Sequence, residues 1–405
     1  MKTDQLEFID GGTVTSPEGF FAGATSAGIK KGKKRLDLGI LFSEVPCVTA
    51  GMFTQSKLKA AAVTLCQKRL KTAKATAIVV NSGCANAYTG EQGLADAEAM
   101  AAMAAEGIGI EPDDVLVAST GVTGQLLPMD RIEAGIAKLI LSHDGGSELA
   151  RAIMTTDTVP KEAAVAVSAG GNDFTIGGVA KGSGMIHPNM ATMFCFLTTD
   201  AAVELSFLKA ALKKSVDASL NMISVDGDTS PSDSVILMAN GQAKGETITA
   251  GSKQAAVFQE ALDRICVYFA KALARDGEGA TRLIEATVSG AVNMNEARLA
   301  AKAIITSSLV KTAVHGGDPN WGRIIAAVAN SGAEVTESKI DISIGKVAVL
   351  KGGKPLDFSE DSVIRSLKQD EVPINVDLNL GAGSATAWGC DMSEEYVRIN
   401  GQYMT

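Results

Sequence analysis

The stretch Lys181–Asp200, KGSGMIHPNMATMFCFLTTD, decides how the rest of the chain is read. It begins as a glycine-rich loop and ends as an apolar run, residues 193–200, that reads as a buried strand. At the join stand Ala191 and Thr192. As a strand residue Thr192 is ordinary. As the first residue of a separate chain it would carry a free α-amino group beside its own hydroxyl. Such an amine has a reference pKa of about 7.7–8.0, so it accepts a proton near neutral pH without a histidine. That is the N-terminal-nucleophile arrangement. The same hydroxyl could make the cut, attacking the Ala191 carbonyl to form an ester that water releases. A small residue before the threonine leaves room for that attack. Gly182 and Gly184 let the approach adopt a strained turn. Taken alone, a threonine opening a strand is the simpler reading.

The remaining composition narrows the chemistry. Three histidines, His143, His187 and His315, leave few candidates for a Ser-His-Asp triad. His143, beside Asp144 in the turn SHDGG, is expected to be exposed. HExxH and GxSxG are absent, and Gly23–Lys30 lacks the hydroxyl that follows the lysine of a phosphate-binding loop. Asp226–Asp233, DGDTSPSD, looks like an acidic metal loop but lacks EF-hand spacing and the distal glutamate. It reads as a polar turn or as a loop that shapes a site near substrate. Six scattered cysteines without a CxxC pair argue against a zinc site or a disulfide framework. They suggest a reduced cytoplasmic protein, with Cys84 of NSGCANA as the one candidate thiol nucleophile. A net charge of −9 offers no basic footprint for nucleic acid. No apolar run reaches the roughly 18 residues of a membrane span. The N-terminal MKTDQLEFID does not resemble a secretory signal.

At 405 residues the chain suggests two or three domains or one large layered unit. Residues 75–83 and 114–120 read as short buried strands ending in polar turns. Between them, 92–108 reads as an alanine-rich helix ended by Gly107. Residues 130–142 read as a helix with Asp130 as N-cap. Residues 162–182 form a hairpin turning at 170–173. Helices are expected at 206–220, opening at Ser206, at 253–274 and at 295–314, with a strand at 282–290. The C-terminal third returns to β. The pattern implies a layered α/β or α+β architecture rather than a regular parallel fold. An acyl-transfer oxyanion needs donors fixed in advance. STGVTG, 119–124, follows the strand DVLVA, and Thr120 and Gly121 are candidate donors, although an ordinary Thr-Gly turn is the simpler reading in isolation. Lys181 alone reads as a solvated turn lysine, and Glu278 alone as a turn acid.

KGSGMIHPNMATM, STGVTGQ, TTDT (155–158), VNSGCANA, VDGDTS, RDGEGATR, DPNWGR and the terminal WGCD, YVRIN and final threonine together resemble the glutamate N-acetyltransferase/ornithine acetyltransferase family of arginine biosynthesis. The likeness runs from GFFAGATSAGIK to Thr405. It implies an α/β/β/α-type sandwich akin to the DmpA-like fold, with Thr192 opening a central strand. It implies autocleavage between Ala191 and Thr192 into an α chain, 1–191, and a β chain, 192–405, whose C-terminal β-rich lobe spans about 280–405. The chains stay together, typically as α2β2. The implied reaction is ping-pong transfer of acetyl from N2-acetyl-L-ornithine to L-glutamate through acetyl-Thr192, without a cofactor. Acetyl-CoA is a further candidate donor. The oxyanion hole falls at Thr120 and Gly121. Substrate contacts fall at Thr155, Lys181, Thr192, Glu278, Asn400 and Thr405. Lys181 offers a cation for the α-carboxylate that both substrates carry, and Glu278 could pair with a substrate ammonium or orient the Thr192 amine. Asn400 and Thr405 sit in a tail that either frays or folds back over the pocket. The choice between Thr155 and Thr156 stays open. His315, before GGDPNWGR, and Met404, where a basic residue is expected, depart from the family pattern. The alternatives are an N-terminal-nucleophile amidase or aminopeptidase, and a non-catalytic binding protein.

Overall fold

A computed structural model of the chain describes residues 5–32, 35–168, 172–187 and 193–402. Ala191, Thr192, Met404 and Thr405 lie outside the described residues. The chain divides into two compact units, each with its own sheet. One comprises 1–182, 189–216 and 229–269, and the other 183–188, 217–228 and 270–405. The first unit therefore takes in residues from both sides of the proposed cut.

In the first unit, nine described strands build one mixed sheet: β1 (Gln5–Phe8), β2 (Phe20–Thr25), β3 (Leu38–Phe53), β4 (Lys74–Cys84), β5 (Val115–Val122), β6 (Lys161–Ser168), β7 (Phe174–Lys181), β8 (Phe194–Thr199) and β10 (Ser234–Ala239). Their order is β1-β6-β7-β8-β10-β3-β4-β5, with β2 paired to β3. β4 and β5 run parallel and need a crossover, which includes α2 (Gly90–Ile108). Side chains alternate across a strand. Ile78, Val80, Leu116 and Ala118 therefore pack with Leu149, Ala150 and Ile153 of α4 (Gly146–Ile153). Ala77, Val79, Val115 and Val117 pack with α1 (Ala61–Arg69), α2 and α3 (Met129–Ile136). Burial on both faces is why these strands read as unbroken apolar runs.

β8 lies inside this sheet, antiparallel to β7 and parallel to β10, and all six of its residues are buried. The expected hairpin is β6–β7, paired from Lys161–Ala180 to Val167–Phe174. Phe207 of α5 (Leu205–Ala218) and Phe174 of β7 both lie against Phe258 of α6 (Ala255–Arg275), with ring centres 5.8 and 5.6 Å away.

Three expected helix boundaries are corrected. α2 runs through Gly107 and ends at Gly109, whose φ of +83° takes the left-handed cap conformation. α3 starts after Pro128, places Asp130 in its first turn rather than at the cap, and stops at Ile136. The chain beyond it is drawn out of helix by pairing, since Ser142 and Ala22 exchange backbone hydrogen bonds of 2.9 and 3.0 Å. At α5 the capping oxygen belongs to Glu204, which accepts from the Ser206 and Phe207 N–H groups at 3.2 Å each.

The second unit holds a seven-stranded mixed sheet among its described residues: β9 (Ile223–Ser224), β11 (Leu283–Ala291), β12 (Asp341–Ile344), β13 (Val347–Lys351), β14 (Lys354–Pro355), β15 (Glu371–Asp377) and β16 (Gly383–Cys390). The order is β14-β13-β12-β15-β11-β16-β9. α7 (Met294–Thr306) packs on β11 and β16. The single helix expected at 295–314 is broken at Ser307. That residue leaves helical geometry at ψ 113° and turns its hydroxyl to the Val310 N–H, capping α8 (Ser308–Gly316). Three hydroxyl residues in a row, Thr306-Ser307-Ser308, favour such a break because their side chains compete for backbone partners. Two mixed sheets with flanking helices make the chain α+β, the class expected.

Candidate active site

The first unit carries a buried charge cluster built on the TTDT turn and on strands β6 and β7. Lys161 opens β6 and Lys181 closes β7, and the hairpin brings both to Asp157. Lys161 Nζ lies 2.7 Å from Asp157 Oδ1, and Lys181 Nζ lies 3.8 Å from Oδ2. Gly182 N–H donates to Oδ1 at 2.7 Å and Thr155 N–H to Oδ2 at 3.0 Å. Lys181 Nζ donates to Thr155 Oγ1 at 2.7 Å. Burial pushes the Asp157 carboxyl up, but the Lys181 and Lys161 ammonium groups and the Thr155 N–H outweigh it and hold the carboxyl well below its ordinary range. Lys30 donates to the Leu36 and Ala152 carbonyls at 2.8 and 3.2 Å. Burial lowers its pKa to about 8, opposed by Asp37 and helped by the charge of Lys181. Around Asp157 the cations outnumber the anion, which suits capture of a carboxylate.

Lys181 is 6% exposed at the end of a strand, not a solvated turn residue. Thr155, rather than Thr156, is the hydroxyl that meets it. Asp157 and Lys161 were not singled out from sequence. The signal for the first lay inside TTDT. A lysine opening an apolar strand was the signal for the second.

Thr120 and Gly121 are brought beside β4. β5 does not end in a turn before them, as expected, but runs through Val122 with Thr120 opposite Ser82 and Gly121 opposite Gly83. Gly121 has φ +129°, and a Cβ there would lie 2.4 Å from the Gly83 carbonyl carbon and 2.6 Å from Cys84 N. The strand end is therefore one that only glycine can form, and Thr120, Gly121 and Val122 are half-buried there. Gly121→Ala is expected to destabilise the fold by about 1–3 kcal/mol. Thermal unfolding checks this, and a variant as stable as wild type would contradict the close fit. Cys84, next along β4, is buried and donates to the Gln125 and Leu126 carbonyls at 3.3 and 3.5 Å. Burial raises its thiol pKa, which disfavours the thiolate a nucleophile would need.

The second unit carries Glu278 and Asn400. Glu278 is 7% exposed. Its N–H donates to Ser183 O at 2.9 Å, and Asn400 Nδ2 donates to its Oε2 at 2.7 Å. A Cβ at Gly184 would stand 2.3 Å from Glu278 Cδ, so the glycine makes room for the carboxylate. Asn400 belongs to α11 (Glu394–Gly401), so the tail is helical up to Gly401 rather than frayed. Ser393 Oγ ties the start of that helix to Gly279 O at 2.6 Å. Asp391 accepts from Thr281 and Arg282 N–H at 2.7 and 2.8 Å, and His315 Nδ1 lies 2.7 Å from its Oδ2. His315 thus braces the loop that holds Glu278. Asp226 accepts from Met185, Ile186 and Asp228 N–H at 2.6, 2.9 and 3.1 Å. The acidic loop shapes the chain that follows Gly184. Among the described residues no three His, Cys, Asp or Glu side chains are grouped to hold a metal ion.

The first unit thus carries a lysine pair buried on one carboxylate and a strand end that only glycine can form. The sequence matches the ArgJ family model over residues 21–405. It is 52% identical to the arginine biosynthesis bifunctional protein ArgJ of Dehalococcoides mccartyi (strain CBDB1), covering 99% of both chains. It is 50% identical to that of Symbiobacterium thermophilum, covering 99% of this chain and all of the other. A crystal structure of the Bacillus halodurans arginine biosynthesis bifunctional protein superposes with a TM-score of 0.50 at 47% identity. The match takes 97% of that chain but 51% of this one, so the crystallised chain is about half as long. The chain belongs to the ArgJ family. Membership bears out the enzyme class expected from the sequence, an acyltransferase of arginine biosynthesis.

Proposed function

We propose that the chain moves acetyl from N2-acetyl-L-ornithine to L-glutamate through an ester on Thr192, after a cut between Ala191 and Thr192 that leaves chains 1–191 and 192–405. The observation that carries this reading is the buried Lys181–Asp157–Lys161 cluster. Donor and acceptor share an α-carboxylate, and a desolvated cation in a protein of net charge −9 is suited to it. Thr192 Oγ1 attacks the acetyl carbonyl, the C–N bond of the donor breaks, and ornithine leaves with the hydroxyl's proton on its amine. The Thr192 α-amine relays that proton. Glutamate's amine then attacks the ester and restores the hydroxyl. Thr120 and Gly121 hold the oxyanion in both halves, and Thr155, Lys181, Glu278, Asn400 and Thr405 hold the substrates. The half-length crystallised relative supports the two-chain form, for which we propose an α2β2 assembly in the cytoplasm. Acetyl-CoA is the second donor to glutamate that we propose.

The test is product release with each substrate set. Acetylornithine alone should free ornithine only to about one equivalent per site, and glutamate should make release continuous. Sustained release without glutamate would favour the amidase reading. Acetyl-CoA with glutamate alone should form acetylglutamate. Lys181→Ala is expected to raise KM for acetylornithine and glutamate together, by about 10- to 100-fold. Steady-state kinetics with each substrate varied check this, and a loss confined to one substrate would contradict the shared-carboxylate role.

A further inference from the structure

We propose that Asp233 supplies the proton taken up by the Thr192 nitrogen when the Ala191–Thr192 bond is cut; this rests on the cleavage proposed above. Strand register carries the inference. Phe194, the first residue of β8, lies opposite Lys181 of β7 on one side and Ser234 of β10 on the other. Ser234 N–H donates to Met193 O at 3.0 Å. Asp233 therefore comes just before the first paired residue of β10, as Met193 comes just before that of β8. Met193 is the next residue after Thr192 along the chain.

The Asp233 carboxyl is buried at this spot with one of its two oxygens unpaired. It is 4% exposed, and its Oδ2 has no hydrogen-bond partner among the described residues. Native structures rarely leave a buried carboxyl oxygen unpaired without a functional reason. Its backbone is fixed, with Thr54 of the segment after β3 donating from N–H to Asp233 O at 3.1 Å and from Oγ1 to Ser230 O at 2.8 Å. Burial raises the carboxyl well above the ordinary range, opposed by the Lys181 ammonium and the Met193 N–H. Lys181 of β7 is the charged group that faces it, with Asp157 beyond Lys181 and already paired to Lys161. Met193, just before β8, offers it a backbone N–H, and Thr54 carries no charge.

The chemistry asks for such a group. Thr192 Oγ1 bonds to the Ala191 carbonyl carbon and the C–N bond breaks. The nitrogen gains one proton and the hydroxyl loses one. A protonated Asp233 gives the first and recovers the second, so it ends as it began. Water then hydrolyses the ester, restoring the hydroxyl and leaving the Ala191 carboxylate.

The full chain made by cell-free synthesis can be followed on denaturing gels as it converts into the two chains, across buffers from mildly acidic to alkaline. In wild type the cleavage rate should fall as pH rises through the Asp233 pKa, because the proton donor is lost. Asp233→Asn should cut about 100-fold more slowly and lose that pH dependence, and Asp233→Glu should restore part of the rate. Asp233→Asn cutting at the wild-type rate, or a wild-type rate flat or rising with pH, overturns the proposal. If circular dichroism finds Asp233→Asn unfolded, the wild-type pH profile decides alone. A wild-type chain that stays whole while transferring acetyl overturns the cleavage itself, and is told apart from failure of the Asp233 role by the absence of any cut product.

Discussion

Thr192→Ala is expected to leave one uncut 405-residue chain and to lower acetyl transfer by at least about 10,000-fold. The substitution removes the atom that would attack Ala191 and the atom that would carry acetyl. It also removes the base, because the α-amine exists only after the cut. Loss of one hydroxyl thus disables maturation and both half-reactions. Thr192→Ser keeps a hydroxyl and should retain cleavage and transfer at reduced rates. Were Thr192 without a role in cleavage or transfer, alanine there would cost about 1 kcal/mol or less of stability and leave activity in place. Gel electrophoresis and the transfer assay separate the two outcomes.

Asp157→Ala is expected to destabilise the protein by about 3–5 kcal/mol, since it strands the Lys161 and Lys181 ammonium groups in the interior without their shared anion. Lys161 and Asp157 have side-chain exposures of 1% and 0%, so water cannot take over. Asp157→Asn keeps the shape and isolates the charge. The pH dependence has a definite sign. The folded carboxyl sits below its ordinary value of 3.8, so its contribution is complete above that value and is lost as pH falls below it toward the folded pKa. Urea unfolding should therefore separate wild type from Asp157→Asn widely at neutral pH and progressively less in strong acid. A variant as stable as wild type at neutral pH would contradict the cluster's role.

The parts legible in the sequence are those fixed by local pattern. β4 and β5 announce themselves because both faces are covered and their central residues, Ala77–Val80 and Val115–Ala118, are all apolar. The β6–β7 hairpin shows in its alternation. What the sequence hides is non-local. Thr120-Gly121 reads as a turn because glycine usually makes one, whereas the strand continues because Gly121 has no Cβ to meet the Gly83 and Cys84 backbone of β4. The break at Ser307 depends on a cap that competes with an otherwise periodic helix. Asp233 owes its burial to β10 meeting β3 and β8 from distant parts of the chain, so no local spacing marks it. The role of Thr192 came from the likeness of its motif to a family, not from periodicity, and it lies outside the described residues.

The central claim is that this one chain becomes two and that the new end does the chemistry. Intact-mass and N-terminal analysis of the purified, active protein tests it most directly. The account predicts two polypeptides, one ending at Ala191 and the other beginning TMFCFLTTD. A single uncut chain that transfers acetyl at full rate would contradict it.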